Sequence, residues 1–412
     1  MASEQPATSA PPGLRLLISA GEASGDLHGG SLLAALRRLA APEALECFGM
    51  GGERLRANGC DTVIDAKDVA VVGLVEVVSH LPGIYRRFRR LLREIDRRRP
   101  DAAVLIDFPE FNFRLARQLH RRGIPVVYYI SPQLWAWNQG RVKLVRRYVR
   151  KMLVIFPFER DFYARHGIEA RFVGHPLADT VERHDEVRPA SGGQDLGHPD
   201  ANLIALLPGS RHKEIALNLP MMIGAARLLH QRHPNLHFRL PVASTISRLW
   251  LDKLLVDIRG DDHQLPLELS EDAAQTLAGS RVAIVASGTA TLEAALAGTP
   301  FVMVYRVAPL TWLAGRFLVN VPFYCIVNLI AGRAIVPEMV QHDFTPARVA
   351  GQIELLLPET PERRRMIQDL AGIRDKLRGE SSLSASEQAA REVLEVMRGE
   401  AETTTVSLGS SN

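Results

Sequence analysis

The chain has 412 residues, 46% of them apolar, with 50 Lys and Arg against 46 Asp and Glu. That length exceeds a single ordinary core and suits two domains, while the composition is ordinary for a soluble chain. Its formal charge of +4 hides an asymmetry, 27 Lys and Arg against 19 Asp and Glu in residues 1–180 and 23 against 27 in residues 181–412, so the first half suits anionic partners.

In chain order, residues 1–12 lack both a basic start and an apolar core and read as a loose tail rather than a signal peptide. Strand-like apolar runs follow at Leu14–Ser19, Glu46–Gly49, Ala102–Ile106, Pro125–Ile130, Lys151–Phe156 and Ala170–Val173, with amphipathic helical stretches between most of them. Residues 184–202 are polar, rich in Gly and Pro and without apolar periodicity, which marks a boundary. A second series has strands at Leu203–Leu207, His237–Pro241, Val282–Val285 and Phe301–Tyr305, and residues 361–398 are mostly helical. The expected fold class is therefore α/β, two doubly wound parallel sheets in tandem. Its segments are a tail at 1–12, a domain at 13–185, a linker at 186–202, a domain at 203–358, C-terminal helices at 359–398 and a tail at 399–412. Three scattered cysteines, Cys47, Cys60 and Cys325, form no CxxC pair, which argues against a zinc site or a disulfide framework and suits the cytosol. Glu293, Arg316, Asn320 and Asn328 interrupt the longest apolar runs, so no transmembrane helix is expected.

In open α/β sheets ligands sit beyond the carboxyl ends of the strands. Glu22, Asp107, Ser131 and the turn Gly209–Ser210–Arg211 each follow a strand. A single carboxylate in such a place reads equally as a helix cap; several together point to a site. GEASGD at Gly21 and ASGTATLE at Ala286 each set a Gly/Ser-rich turn between a strand and a helix, where free N–H groups and the helix dipole favour an anion. The N–H groups of Ser287, Gly288 and Thr289 suit phosphate oxygens. Glu293, one turn on, suits ribose hydroxyls or an exposed ion pair, and Arg211 suits a diphosphate.

Neither LLPGSRHKE at Leu206 nor GMGGER at Gly49 is a Walker A loop or a dinucleotide fingerprint. With no HExxH and no metal-ligand spacing, a site without metal or cofactor is the simpler expectation. His28 and His175 sit beside glycines and read as turn residues before anything else. Arg86, Arg90, Arg93 and Arg97 share one helical face. It is either a solvated basic face or, beside the apolar stretch Val69–Leu81, a patch for anionic lipid. Val69–Leu81 reads equally as core. No nucleic-acid motif accompanies the charge.

Taken together, GEASGD at Gly21, VGLVEV at Val72, IDFPEFN at Ile106, SPQLWAW at Ser131, FPFE at Phe156, GHPLAD at Gly174, LPGSR at Leu207, SGTATLE at Ser287 and NLIAGR at Asn328 resemble the lipid-A-disaccharide synthases. These are bacterial glycosyltransferases that join two acylated glucosamines. The resemblance spans nearly the whole chain and implies a GT-B fold, with the acceptor held mainly by the first domain and a UDP-sugar mainly by the second. It implies transfer from UDP-2,3-diacylglucosamine to the 6-hydroxyl of 2,3-diacylglucosamine 1-phosphate, with inversion. It further implies an enzyme without metal, peripheral on the inner face of the inner membrane, either a monomer or a dimer exchanging C-terminal segments.

The residues matching Glu22, Asp107, Arg211 and Asn328 are functionally important in that family, and Ser24 and Asn112 fall in its acceptor-side segments. Phe108 and Glu110 vary the IDxPxFN loop, and Val327 stands where a proline is often found. Under this reading Asp107 is the leading base, with Glu22 the alternative or the acceptor orienter. Gly209, Ser210, Arg211 and Ser287–Thr289 take the diphosphate, Glu293 the ribose, and Asn328 the donor. The rival readings are another UDP-sugar transferase or epimerase, and a non-catalytic lipid-binding protein.

Overall fold

The computed structural model describes residues 13–69, 74–179, 199–259, 265–309, 312–313, 315, 319, 321–379 and 381–399, with backbone only at 74–81 and 259. The chain divides into a first unit, made of the residues up to Pro176 and those after Gly379, and a second, Leu177–Gly379.

In the first unit, strands β1 (Leu14–Ala20), β2 (Leu45–Gly51), β3 (Asp61–Asp65), β4 (Ala102–Ile106), β5 (Val126–Tyr129), β6 (Lys151–Val154) and β7 (Ala170–Phe172) form one parallel sheet, ordered β3-β2-β1-β4-β5-β6-β7. Every residue of β4 is buried, as an AAVLI run covered on both faces requires. In the second unit, β8 (Asp200–Leu207), β9 (His237–Pro241), β10 (Leu267–Ser270), β11 (Ser280–Ala286), β12 (Phe301–Tyr305) and β13 (Glu338–Val340) are again parallel, ordered β10-β9-β8-β11-β12-β13.

Both sheets reverse their winding direction, between β1 and β4 in the first and between β8 and β11 in the second. At such a switch point the loops after the two central strands part, leaving a crevice at their carboxyl ends. Glu22 and Asp107 follow β1 and β4; Arg211 and Ser287 follow β8 and β11.

Three strands escaped the sequence reading: β3, β10 and β13. All lie at sheet edges, are short, and are only partly buried, so their sequences DTVID, LELS and EMV carry no apolar run. β8 begins at Asp200, three residues before the expected start. The helix Leu74–Arg98 anchors through Leu91, Leu92 and Ile95, and Val69 just before it belongs to the core of the first unit. The side chains of 70–81, the rest of the apolar stretch flagged in the sequence, lie outside the described residues, as does most of the linker at 186–202. Among the described residues no helix is long and apolar enough to cross a membrane.

The segment 359–398 is shared between the units. Helix Pro361–Arg378 belongs to the second, whereas Ala385–Arg398 lies along helix Ala23–Ala40 of the first and buries Ala389, Ala390, Val393, Leu394 and Met397. Its polar edge is pinned by Lys151 to Glu392 and Glu395, by Arg38 to Glu387 (2.8 Å) and by Arg398 to Glu43 (3.3 Å). Cys47 and Cys60, far apart in sequence, are neighbours in the fold.

Candidate active site

At the switch point of the first unit, β4 ends in two successive non-glycine residues with left-handed backbone, Asp107 (φ 42°) and Phe108 (φ 46°). Ile130, after β5, is a third (φ 62°). Such conformations cost about 1–2 kcal/mol each and persist only where the surroundings enforce them. Here Asn112 supplies the enforcement. Fully buried on the first turn of helix Pro109–His120, its Nδ2 donates to the carbonyls of Ile106 (3.1 Å) and Asp107 (2.8 Å). Its Oδ1 accepts from Ser19 Oγ of β1 (2.7 Å), and the Tyr128 hydroxyl donates a further bond to the Asp107 carbonyl (2.7 Å). Asn112 thus reaches the Asp107 backbone from inside the core. The Phe108 ring lies against Gly21 so closely that a Cβ there has no space, which joins the GEASGD turn to the Asp107 loop.

Glu22 precedes helix Ala23–Ala40 and is exposed, and its side chain makes no cap bond. The structural duty in GEASGD falls on the buried Asp26, whose carboxylate accepts the N–H groups of Gly52 (2.6 Å), Arg54 (2.9 Å) and Leu55 (3.2 Å). Ser24 is exposed on the same turn. Burial, and then the negative charge of Glu22, raise the Asp107 carboxyl to about 6, against a smaller pull from the Phe108 N–H.

Near this pair the structure adds one carboxylate that the sequence reading passed over and shows the setting of Ser131, His28 and His175. Glu159 is fully buried, accepts from Trp135 Nε1 (3.1 Å) and the Phe156 N–H (3.1 Å), and is pushed by burial to about 8. It ties the SPQLWAW and FPFE segments together. Ser131 is buried against the Tyr163 hydroxyl (2.7 Å). His175 packs on Phe156 and is lowered to about 3 by burial and by His28, which burial lowers too.

Arg86, Arg90, Arg93 and Arg97 are all exposed on helix Leu74–Arg98, and Arg97 pairs with Glu94 (2.6 Å). Arg86, Arg89 and Arg93 line an open groove of about 550 Å³ with Pro82 and Tyr85. One turn on, Phe88 packs edge-on against Phe111 (5.3 Å), and Phe111 against Phe108 (6.0 Å), so the basic helix abuts the Asp107 loop.

In the second unit, the turn after β8 needs Gly209, whose φ of 120° is a backbone conformation that L side chains rarely adopt. Glu214 Oε2 accepts the Ser210 N–H (3.3 Å), while Asn218 Nδ2 and Thr245 Oγ1 hold the Pro208 and Ser210 carbonyls. Arg211 keeps 78% of its side chain exposed beside Glu214 (3.7 Å). After β11, the Ser287 N–H donates to Val304 (2.9 Å) and so extends the sheet ladder. That group is taken, contrary to the sequence expectation, and Ser287 Oγ donates to the Tyr324 carbonyl (2.9 Å). The N–H groups of Gly288 and Thr289, which open helix Thr289–Ala297, have no partner among the described residues. Glu293, on the same helix, is raised by burial alone and has no cationic partner there.

Asn328 is buried with its whole amide engaged. Its Oδ1 accepts from Ile335 and Val336, and its Nδ2 donates to Val336 O (2.9 Å) and Glu338 Oε1 (2.8 Å). Its place in the structure is therefore behind the site, since no amide atom is left for a ligand. Glu338 in turn accepts the N–H groups of Tyr324 (2.9 Å) and Cys325 (3.1 Å), fixing the turn that meets Ser287. The Tyr324 ring lies between those of Tyr305 (6.1 Å) and Trp312 (5.8 Å). Glu338 opens β13, an edge strand of three residues too short to recognise, so the sequence carried no signal for it.

Solved structures share this fold at low identity. The glycosyltransferase of kitacinnamycin matches with a TM-score of 0.60 at 14% identity, covering 93% of this chain and 99% of that one. A UDP-GlcNAc 2-epimerase from Neisseria meningitidis matches at 0.58 and 11%, covering 94% and 100%. The fold class is thus the pair of doubly wound α/β units found in GT-B glycosyltransferases. Sequence relatives are far closer. A lipid-A-disaccharide synthase of Koribacter versatilis (strain Ellin345) is 54% identical over 387 residues, 93% of this chain and 98% of the relative. One of Myxococcus xanthus (strain DK1622) is 42% identical over 384 residues, 93% and 97%. Since the lipid-A-disaccharide synthetase family model also matches residues 16–393, from β1 to the helix that returns to the first unit, the chain belongs to that family.

Proposed function

We propose that Asp107 is the general base in the reaction this family performs, transfer of 2,3-diacylglucosamine from UDP to the 6-hydroxyl of 2,3-diacylglucosamine 1-phosphate. The oxygen of that hydroxyl forms its bond to the donor anomeric carbon as the bond to UDP breaks. The proton passes to Asp107 and the electron pair leaves with the diphosphate, inverting the centre. The observation that carries the reading is the place of Asp107 at the β1–β4 switch point beside the Glu22 turn, where burial raises its carboxyl to about 6. A base poised just below neutral pH is ionised before the reaction and still basic enough to take a proton as it proceeds.

Glu22, exposed and uncapped beside it, orients the acceptor, with Ser24 on the same turn. In the second unit, Arg211 and the N–H groups of Gly288 and Thr289 meet the diphosphate and stabilise its departing charge. Glu293 accepts from the ribose hydroxyls; Asn328 acts through Glu338 as a positioning residue. No step calls for a metal or cofactor.

The exposed arginines on helix Leu74–Arg98 support a reading in which they face anionic lipid or the acceptor phosphate, with the enzyme peripheral on the cytoplasmic face of the inner membrane. Mixing the purified protein, in mild detergent and with chelator, with both lipid substrates should release UDP in step with disaccharide, read by mass spectrometry. UDP release from unacylated UDP-N-acetylglucosamine in place of the lipid donor would favour a different sugar-nucleotide enzyme.

A further inference from the structure

Cys47 sits in the middle of β2, and Cys60 immediately precedes β3. The β2–β3 register pairs Phe48 with Asp61, so one step back along each strand the two cysteines stand opposite one another on the same face. Adjacent parallel strands run about 4.8 Å apart, inside the roughly 4.4–6.8 Å Cα span of disulfides. The two Sγ atoms are 2.9 Å apart, and the side chains are only 3% and 5% exposed. Both thiols are free, and the third cysteine, Cys325, lies in the other unit. A cation stands beside the pair: Arg37 on helix Ala23–Ala40 donates to the Gly59 carbonyl (3.1 Å). Burial and the neighbouring Cys60 push the Cys47 thiol well up, with Arg37 a smaller opposing pull, so exchange at this pair is slow at neutral pH.

We propose that Cys47 and Cys60 are an oxidisable dithiol, open in a reducing compartment and closing to a disulfide when a small-molecule disulfide such as oxidised glutathione accumulates. One thiolate attacks the small disulfide, giving a mixed disulfide and releasing one thiol. The second thiolate attacks the mixed disulfide and releases the other, so the protein loses two hydrogens and the oxidant becomes two thiols.

The closed bridge would span the loop holding Gly52, Arg54 and Leu55, whose N–H groups bind Asp26. It fastens the platform of the helix that Glu22 precedes without touching Glu22 itself. The expected outcome is a more heat-resistant first unit with unchanged turnover at room temperature.

The test holds the full-length protein in a redox buffer of reduced and oxidised glutathione, alkylates, unfolds, alkylates again with a second mass label and maps the peptides. The expected result is a Cys47–Cys60 cross-linked peptide whose yield follows the oxidised fraction, with Cys325 reduced throughout and the apparent Tm higher by about 5 °C. Cys325→Ala should bridge as the parent does; Cys47→Ala and Cys60→Ala should not. Three reduced cysteines after equilibration, separate glutathione adducts at Cys47 and Cys60, or a bridge reaching Cys325 would each overturn the proposal.

Discussion

Asp107 bears two burdens that a strand-end carboxylate usually escapes, a left-handed backbone and burial beside a second carboxylate. Both bear on stability with a definite sign. Its folded pKa lies above the ordinary value, so the group favours the folded state fully below about pH 4 and loses that favour as pH rises through about 6. Asp107→Asn should therefore raise stability by on the order of 2–3 kcal/mol at pH 8, with the gap vanishing near pH 4, as denaturant titrations at the two pH values would show. Asn also tolerates the left-handed region better than most residues. The same variant should lose at least about a hundredfold in kcat while still binding UDP-sugar, and near-normal turnover would remove Asp107 as the base. In the parent, kcat/KM should climb with pH through about 6 and then level; Glu22→Gln, by removing the like charge, should move that rise to lower pH. The position of Asp107 after a strand was legible in the sequence. Its altered acidity was not, because the partner that helps cause it follows a different strand.

Side chains at element ends divide into those that meet a ligand and those that hold the ones that do, and sequence motifs do not separate the two. Asn112 and Asn328 stood among the expected binding groups, yet each is buried and bonds to backbone. Asn112→Ala removes one donor each from the Ile106 and Asp107 carbonyls, the latter keeping its bond from the Tyr128 hydroxyl. It should cost about 2–3 kcal/mol in unfolding and lower kcat more than it changes KM, the pattern of a misplaced base rather than a lost contact. On helix Leu74–Arg98 the chemistry is long-range. Replacing Arg86, Arg89 and Arg93 together by Glu should weaken binding to anionic vesicles by roughly a hundredfold, and parent binding should fall as salt rises. Vesicle binding indifferent to both would assign adhesion to apolar insertion alone.

The central strands were readable because buried parallel strands are continuous apolar runs, whereas the two switch points emerge only from the strand order of each sheet. β3, β10 and β13 were not, since an edge strand covered on one side only needs no such run. Nor could helical periodicity say which unit would receive the last helix. Ala385–Arg398 shows an ordinary amphipathic face, and only Lys151, Arg38 and Glu43, all distant in sequence, identify its berth. Ending the chain after Gly379 uncovers the face of helix Ala23–Ala40 that this helix buries. Limited proteolysis should then degrade the first unit while leaving Leu177–Gly379 resistant; equal resistance of both would show that the helix is dispensable.

On the ribosome, that last helix reverses the usual order of events. The unit begun first cannot be finished first, because its closing piece is translated after the whole of the other unit. At about 5–20 residues per second the wait is on the order of ten to forty seconds. During it a nearly complete parallel sheet presents the uncovered face of helix Ala23–Ala40 to solvent. The nascent chain should thus depend on holding chaperones in proportion to how slowly its second half is made, and rare codons placed between Leu177 and Gly379 should lower the yield of active enzyme more than the same codons placed before Pro176.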